Sequence, residues 1–111
     1  MKEAINQSKR INEMIKQSEE YKRYIDAKRV LYADEELARR LKEFKVRNRE
    51  LQNIQSNEVY DAINSLVKDN DSLLNNTKVN DYLRAEQKIC RLMQQIYISI
   101  SDGLELEYLD E

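Results

Sequence analysis

Apolar residues recur at the three- and four-residue steps of a helix almost from end to end of this chain. From about Lys2 to Gln17, the residues Ala4, Ile5, Ser8, Ile11, Met14 and Ile15 gather near one face. Ser18 is an N-cap by chemistry, because its hydroxyl can accept from a free amide of the next turn. Glu19 and Glu20 behind it suit the positive end of a helix dipole. The second segment runs to about Tyr32, with Tyr21, Tyr24, Ile25, Lys28, Leu31 and Tyr32 on one side. The methylenes of Lys28 can cover apolar surface while its ammonium reaches water. Asp34, followed by Glu35 and Glu36, is the next cap. Leu37, Leu41, Phe44, Asn48 and Leu51 then step by 4, 3, 4 and 3, the seam of a bundle helix over two heptads. Asn48 in that seam is expected at its end or partly exposed.

Gln55-Ser56-Asn57-Glu58 forms a polar connection of hairpin length. A fourth segment carries Val59, Ala62, Ile63, Leu66, Val67, Asn70, Leu73 and Leu74, and Asn75-Asn76 breaks it. Thr77 is expected to cap a fifth segment of up to 25 residues, whose apolar face includes Val79, Tyr82, Leu83, Ile89, Cys90, Leu92, Met93, Ile96, Tyr97 and Ile100. Gly103 is a natural residue to follow that helix. The one alternating stretch, Tyr97 to Ser101, continues the helical pattern and does not predict a strand. The expected fold is therefore all-α, an antiparallel bundle of four to five helices. Residues 1–101 would form a single helical domain and 102–111 an acidic C-terminal tail. Adjacent apolar pairs at nearly every turn of segments four and five exceed what one small bundle buries, so an oligomer is expected.

Composition narrows the chemistry. The chain has 111 residues with no His, no Pro, no Trp, one Gly and one Cys. Without His there is no Ser-His-Asp or Cys-His arrangement and no His-ligated metal. One Gly excludes phosphate-cradling loops, and one Cys excludes an intramolecular disulfide or a single-chain cluster site. No enzyme activity, metal or cofactor is expected. No stretch reaches the length of a membrane span, the first residues lack an apolar signal core, and an unpaired Cys90 suits a reducing compartment. A cytoplasmic protein without membrane insertion is the expectation.

Net charge is −2, which gives the whole chain no bias towards nucleic acid. Arg39, Arg40, Lys42, Lys45, Arg47 and Arg49, with Lys22, Arg23, Lys28 and Arg29, surround their helices and alternate with acids. They predict a solvated surface, and a contiguous basic stripe would be needed for a nucleic-acid-binding adaptor. Asp34, Glu35 and Glu36 are explained as helix caps, and Glu86 as the partner of a base or amide on a neighbouring helix. Cys90, between Ile89 and Leu92, is expected to be a small buried hydrophobe. The candidate interface residues are Tyr21, Tyr24, Tyr32, Phe44, Tyr82, Glu86 and Tyr97, since tyrosine is enriched at protein interfaces.

The order of these signals resembles the YlbF/YmcA (also YheA) family of small helical bacterial proteins. The residues that carry the resemblance are Ser18-Glu19-Glu20-Tyr21, Tyr24, Ala27, Leu31, Asp34-Glu35-Glu36, Leu41 and Phe44. In the C-terminal half they are Asn76, Val79, Tyr82-Leu83-x-Ala85-Glu86, Leu92, Ile96 and Ile100. The resemblance implies a regulator. The two founders act with a third, unrelated protein in a cytoplasmic complex tied to competence, sporulation, biofilm formation and messenger-RNA maturation by a membrane-anchored endoribonuclease. That complex carries iron–sulfur clusters held by cysteines. The cysteine-rich C-terminal extension of YlbF has no counterpart in these 111 residues, so cluster ligation is not expected here. The resulting expectation is a non-catalytic scaffold. Protein partners, either further copies or family relatives, would sit on the apolar faces of segments two to five; a nucleic-acid adaptor is the competing reading.

Overall fold

The computed structural model describes residues 1–54 and 57–105. Among them are six helices and no strand: α1 (Lys2–Lys16), α2 (Glu19–Tyr32), α3 (Glu35–Gln52), α4 (Val59–Asp69), α5 (Asp71–Leu74) and α6 (Thr77–Ser101). The all-α expectation holds. The count is higher because the fourth segment is two helices.

Local chemistry sets most of the boundaries. The Ser18 hydroxyl accepts from the Tyr21 N–H at 3.2 Å and donates to the Ile15 carbonyl at 2.6 Å, so one side chain closes α1 and opens α2. The Asp34 carboxylate accepts from the Leu37 N–H at 3.2 Å. For α6 the expected cap is off by one residue. Asn76, not Thr77, is the N-cap, and its side-chain oxygen accepts from the Lys78 and Val79 N–H groups. Asn satisfies two free amides here, which leaves Thr77 as the first helical residue. The fourth segment breaks at Asn70, earlier than expected. The Asn70 side-chain amide donates to the Leu66 carbonyl at 2.8 Å and so competes with the backbone ladder. The resulting bend brings Leu73 of α5 fully into the core. After α6, the Leu104 N–H donates to the Ser101 carbonyl at 3.1 Å. Asp102 lies at φ −58°, ψ 132° and Gly103 at φ +81°. That is a type II turn, whose third position requires the left-handed backbone glycine allows.

The core is small. Leu31, Leu41, Leu73, Val79 and Tyr82 are buried together, with Tyr24, Ala27, Leu37, Phe44 and Leu83 packed against them. Leu31, Leu73 and Val79 have no exposed surface. α2 lies antiparallel on α6. Its end is tied by Asp34 to Lys78 at the start of α6, and its first residues Glu19 and Glu20 reach the level of Leu92 and Gln95. α3 packs on α2 and α4, while α1 is sparsely packed and touches chiefly α2. No residue of α1 is buried. The molecule measures 50 × 36 × 16 Å with a radius of gyration of 17.8 Å. A compact domain of this length would have a radius of about 13 Å. A single chain is thus an open, flat layer of helices.

Candidate functional site

The interior of the layer is anchored by three helices meeting at Tyr82. The tyrosine is nearly buried at 5 % exposure and lies in α6. Tyr24 of α2 stands 5.7 Å away, ring centre to ring centre, at a tilt of 36°, and Tyr32 stands at 6.4 Å. The Tyr82 hydroxyl donates to a Glu86 carboxylate oxygen at 3.0 Å, one turn along α6. Lys45 of α3 reaches across to the same oxygen, with its ammonium 5.1 Å from the centre of the Tyr82 ring. Glu86 does pair with a base of a neighbouring helix, as its position in the sequence suggests. Burial holds the Tyr82 phenol well above its ordinary range, and hydrogen bonding with Tyr24 and Glu86 adds to the effect.

Five of the seven candidate interface residues therefore converge: Tyr24, Tyr32, Phe44, Tyr82 and Glu86. They converge inward, as the joint between helices, and only Tyr32 keeps about half its surface in water. Tyr21, half-buried near the start of α2, and Tyr97, half-exposed on the distal part of α6, stand outside this joint. Cys90 corrects its expectation: it is exposed. Each residue turns a helix by about 100°, so Cys90 looks away from the core that takes Ile89.

Several of the charged candidates form local pairs within one helix. Arg39 bridges Glu36 and Glu43, Arg23 meets Glu19, and Arg29 meets Asp26. The hydrogen-bonded Arg39 guanidinium beside it holds the Glu36 carboxyl below the usual range. The Lys28 ammonium lies 5.5 Å from the Tyr32 ring centre. Between α2 and α6 a shallow cleft of about 600 Å³ mixes Arg23, Arg84, Lys88 and Arg91 with Glu19, Glu20 and Asp81. Asp34 caps α3, and among the described residues no three His, Cys, Asp or Glu side chains converge as metal ligands. No helix among them is long and apolar enough to cross a membrane.

The apolar surface left open lies elsewhere. α1 and the last turns of α6 form the walls of a groove of about 480 Å³, lined by Ile11, Met14, Ile15, Leu92, Ile96 and Ile100. Met14 and Ile100 in its lining are exposed, and Ile5 of α1 and Met93, Tyr97 and Ile98 of α6 are exposed on the same two helices. The apolar stripe of α1 was legible in the sequence, but its lack of any cover was not. A family model described as "Control of competence regulator ComK, YlbF/YmcA" matches residues 4–105. No curated protein and no solved structure matches the chain.

Proposed function

The chain belongs to the YlbF/YmcA family of competence regulators, and from that premise we propose that it is a non-catalytic regulatory protein that works by protein–protein contact. The observation that carries the reading is the open apolar groove between α1 and α6. Soluble single chains seldom leave a contiguous apolar surface uncovered unless something binds it. The Tyr82–Glu86–Lys45 joint is the rigid support that holds α6 in place behind this surface. The pairing of Arg23, Arg29 and Arg39 with acids on their own helices, and the mixing of acids with bases in the cleft between α2 and α6, favour a protein partner over nucleic acid, which would want a continuous basic stripe.

A tagged copy expressed at native level in its host, with quantitative mass spectrometry of what co-purifies, tests the reading. Stoichiometric recovery of other proteins of the competence pathway, resistant to ribonuclease and lost in Met14→Glu, is the expected result. Recovery of nothing but the chain itself, or a yield that ribonuclease abolishes, would overturn it.

A further inference from the structure

The α2–α6 pair is covered on one side by α3, whose Lys45 reaches Glu86 and whose Phe44 and Leu41 pack at the Tyr82 cluster. Along its other side the seam between the two helices is open. Two hollows of about 600 and 250 Å³ share Arg23, Ala27 and Asp81, so they form one trough, and every residue that lines it belongs to α2 or α6. The trough runs from Val30 and Lys78 to Leu92 and Gln95. From Lys78 to Leu92 that is about 21 Å along α6, the length of four turns of an opposing helix. Ala27 and Ala85 lie within it. Side chains that stop at Cβ let a third helix settle at the usual packing distance of about 8–10 Å.

Charge sets the character of the trough. Arg84, Lys88 and Arg91 step by four and three residues and so form one row on α6. All three are exposed, and among the described residues none meets a carboxylate. The other cations near the trough are neutralised: Arg23 by Glu19, Arg29 by Asp26 and Lys78 by Asp34. Like charges three and four residues apart repel, so the row costs the free chain stability until acids cover it. Asp81, one turn before Arg84, closes the row with the opposite sign.

We propose that the trough receives an amphipathic helix of another protein, about four turns long, whose acidic residues at three- and four-residue spacing lie over Arg84, Lys88 and Arg91. A basic residue of that helix lies over Asp81, which fixes its direction. The inference rests on the reading of the chain as a protein-binding regulator and gives it a second surface beside the apolar groove.

The lining selects this occupant. A nucleic acid would bring phosphates against Glu20 and Asp81 as well as against the cations. A single small anion does not span the row, since Arg84 and Arg91 stand about 10 Å apart along the helix. A second copy laid two-fold on this face would set the cation row against itself.

The test places a photoreactive benzoylphenylalanine at position 26, on the exposed α2 rim of the trough, in the full chain expressed in its host. After irradiation, peptide mapping should locate the adduct in a different protein, within a segment of helical period that carries acids at three- or four-residue spacing. The triple change Arg84→Glu, Lys88→Glu and Arg91→Glu should keep the helical circular dichroism, because all three positions are exposed. It should lower the adduct yield by roughly tenfold or more, since repulsion replaces attraction. Lys88→Glu alone should lower it roughly threefold. Changing the acids of the captured segment to Lys should restore the yield with the triple variant. A yield that neither variant changes, a charge swap that restores nothing, an adduct to RNA or to a second copy, or no adduct at all would overturn the proposal. Pathway proteins that co-purify and are lost in Met14→Glu, with no adduct at position 26, would leave the functional reading standing and remove this surface. A charge-dependent adduct without any partner sensitive to Met14→Glu would remove the role of the apolar groove alone.

Discussion

Glu86→Gln removes one charge from the joint of three helices while keeping the side chain's shape. The carboxylate accepts from both Lys45 and the Tyr82 hydroxyl, and the two charged side chains keep only 33 % and 29 % of their surface in water. Exposed ion pairs contribute about 0.2–1 kcal/mol, and breaking a fully buried pair costs about 3–5 kcal/mol. A pair at this exposure lies between them, so Glu86→Gln and Lys45→Met should each cost about 1.5 kcal/mol. Each single change removes the same Lys45–Glu86 contact. The double variant should therefore fall short of the sum of the singles by about 1 kcal/mol. Urea unfolding followed by circular dichroism supplies the cycle, and the thermal midpoint should drop by about 5–7 °C for each single change. Protein concentration must be held fixed, because association would otherwise move the midpoint. A coupling below about 0.3 kcal/mol would show that Lys45 and Glu86 merely lie near each other, and the account of the joint would fail.

Other substitutions test separate parts of the structure. Asn76→Ala should cost about 1 kcal/mol by leaving the Lys78 and Val79 amides uncapped, whereas Thr77→Ala should change stability by a few tenths at most; equal losses in thermal melts would restore Thr77 as the cap. Cys90→Ser should lie within about 0.5 kcal/mol of wild type, as an exposed position does, and a loss of 2 kcal/mol would return the residue to the core. Tyr82→Phe removes a group whose raised folded pKa favours the neutral phenol. That contribution is present below the ordinary tyrosine value of about 10 and is lost as pH rises above it. The stability gap between wild type and Tyr82→Phe should be about 1 kcal/mol at pH 7 and shrink above pH 10. A gap independent of pH in denaturant titrations would refute the assignment.

The helix ends could be read from sequence because caps are local chemistry. Ser18 and Asp34 each need only an amide three residues on, and both are where the sequence places them. Glu86 was legible as the partner of a base or an amide on a neighbouring helix, and the base proved to be Lys45. The errors arise where two local solutions compete or where cover comes from far along the chain. Asn76 and Thr77 can both cap, and the two-amide geometry of Asn prevails. Asn70 fits the helical period of its segment, yet its side chain bonds backward to Leu66. Cys90 sits one residue from a buried position, and a 100° turn takes it to the opposite environment. The periodicity of α6 is the same before and after Leu92. Whether that face meets protein or water depends on where α2 starts, more than sixty residues earlier. Hence the candidate tyrosines proved to be mostly an internal joint, and the open surface lies on α1 and distal α6.

Amide hydrogen exchange along α1 tests most directly whether that open surface is an interface. An uncovered helix of this length opens constantly, and its amides exchange nearly as fast as those of an unstructured peptide. If α1 and the end of α6 are covered by a partner chain, the amides of residues 5–16 in the purified protein should exchange at least about a hundredfold more slowly than that. Exchange of these amides at the unstructured rate, with the α2–α6 core protected, would contradict the account.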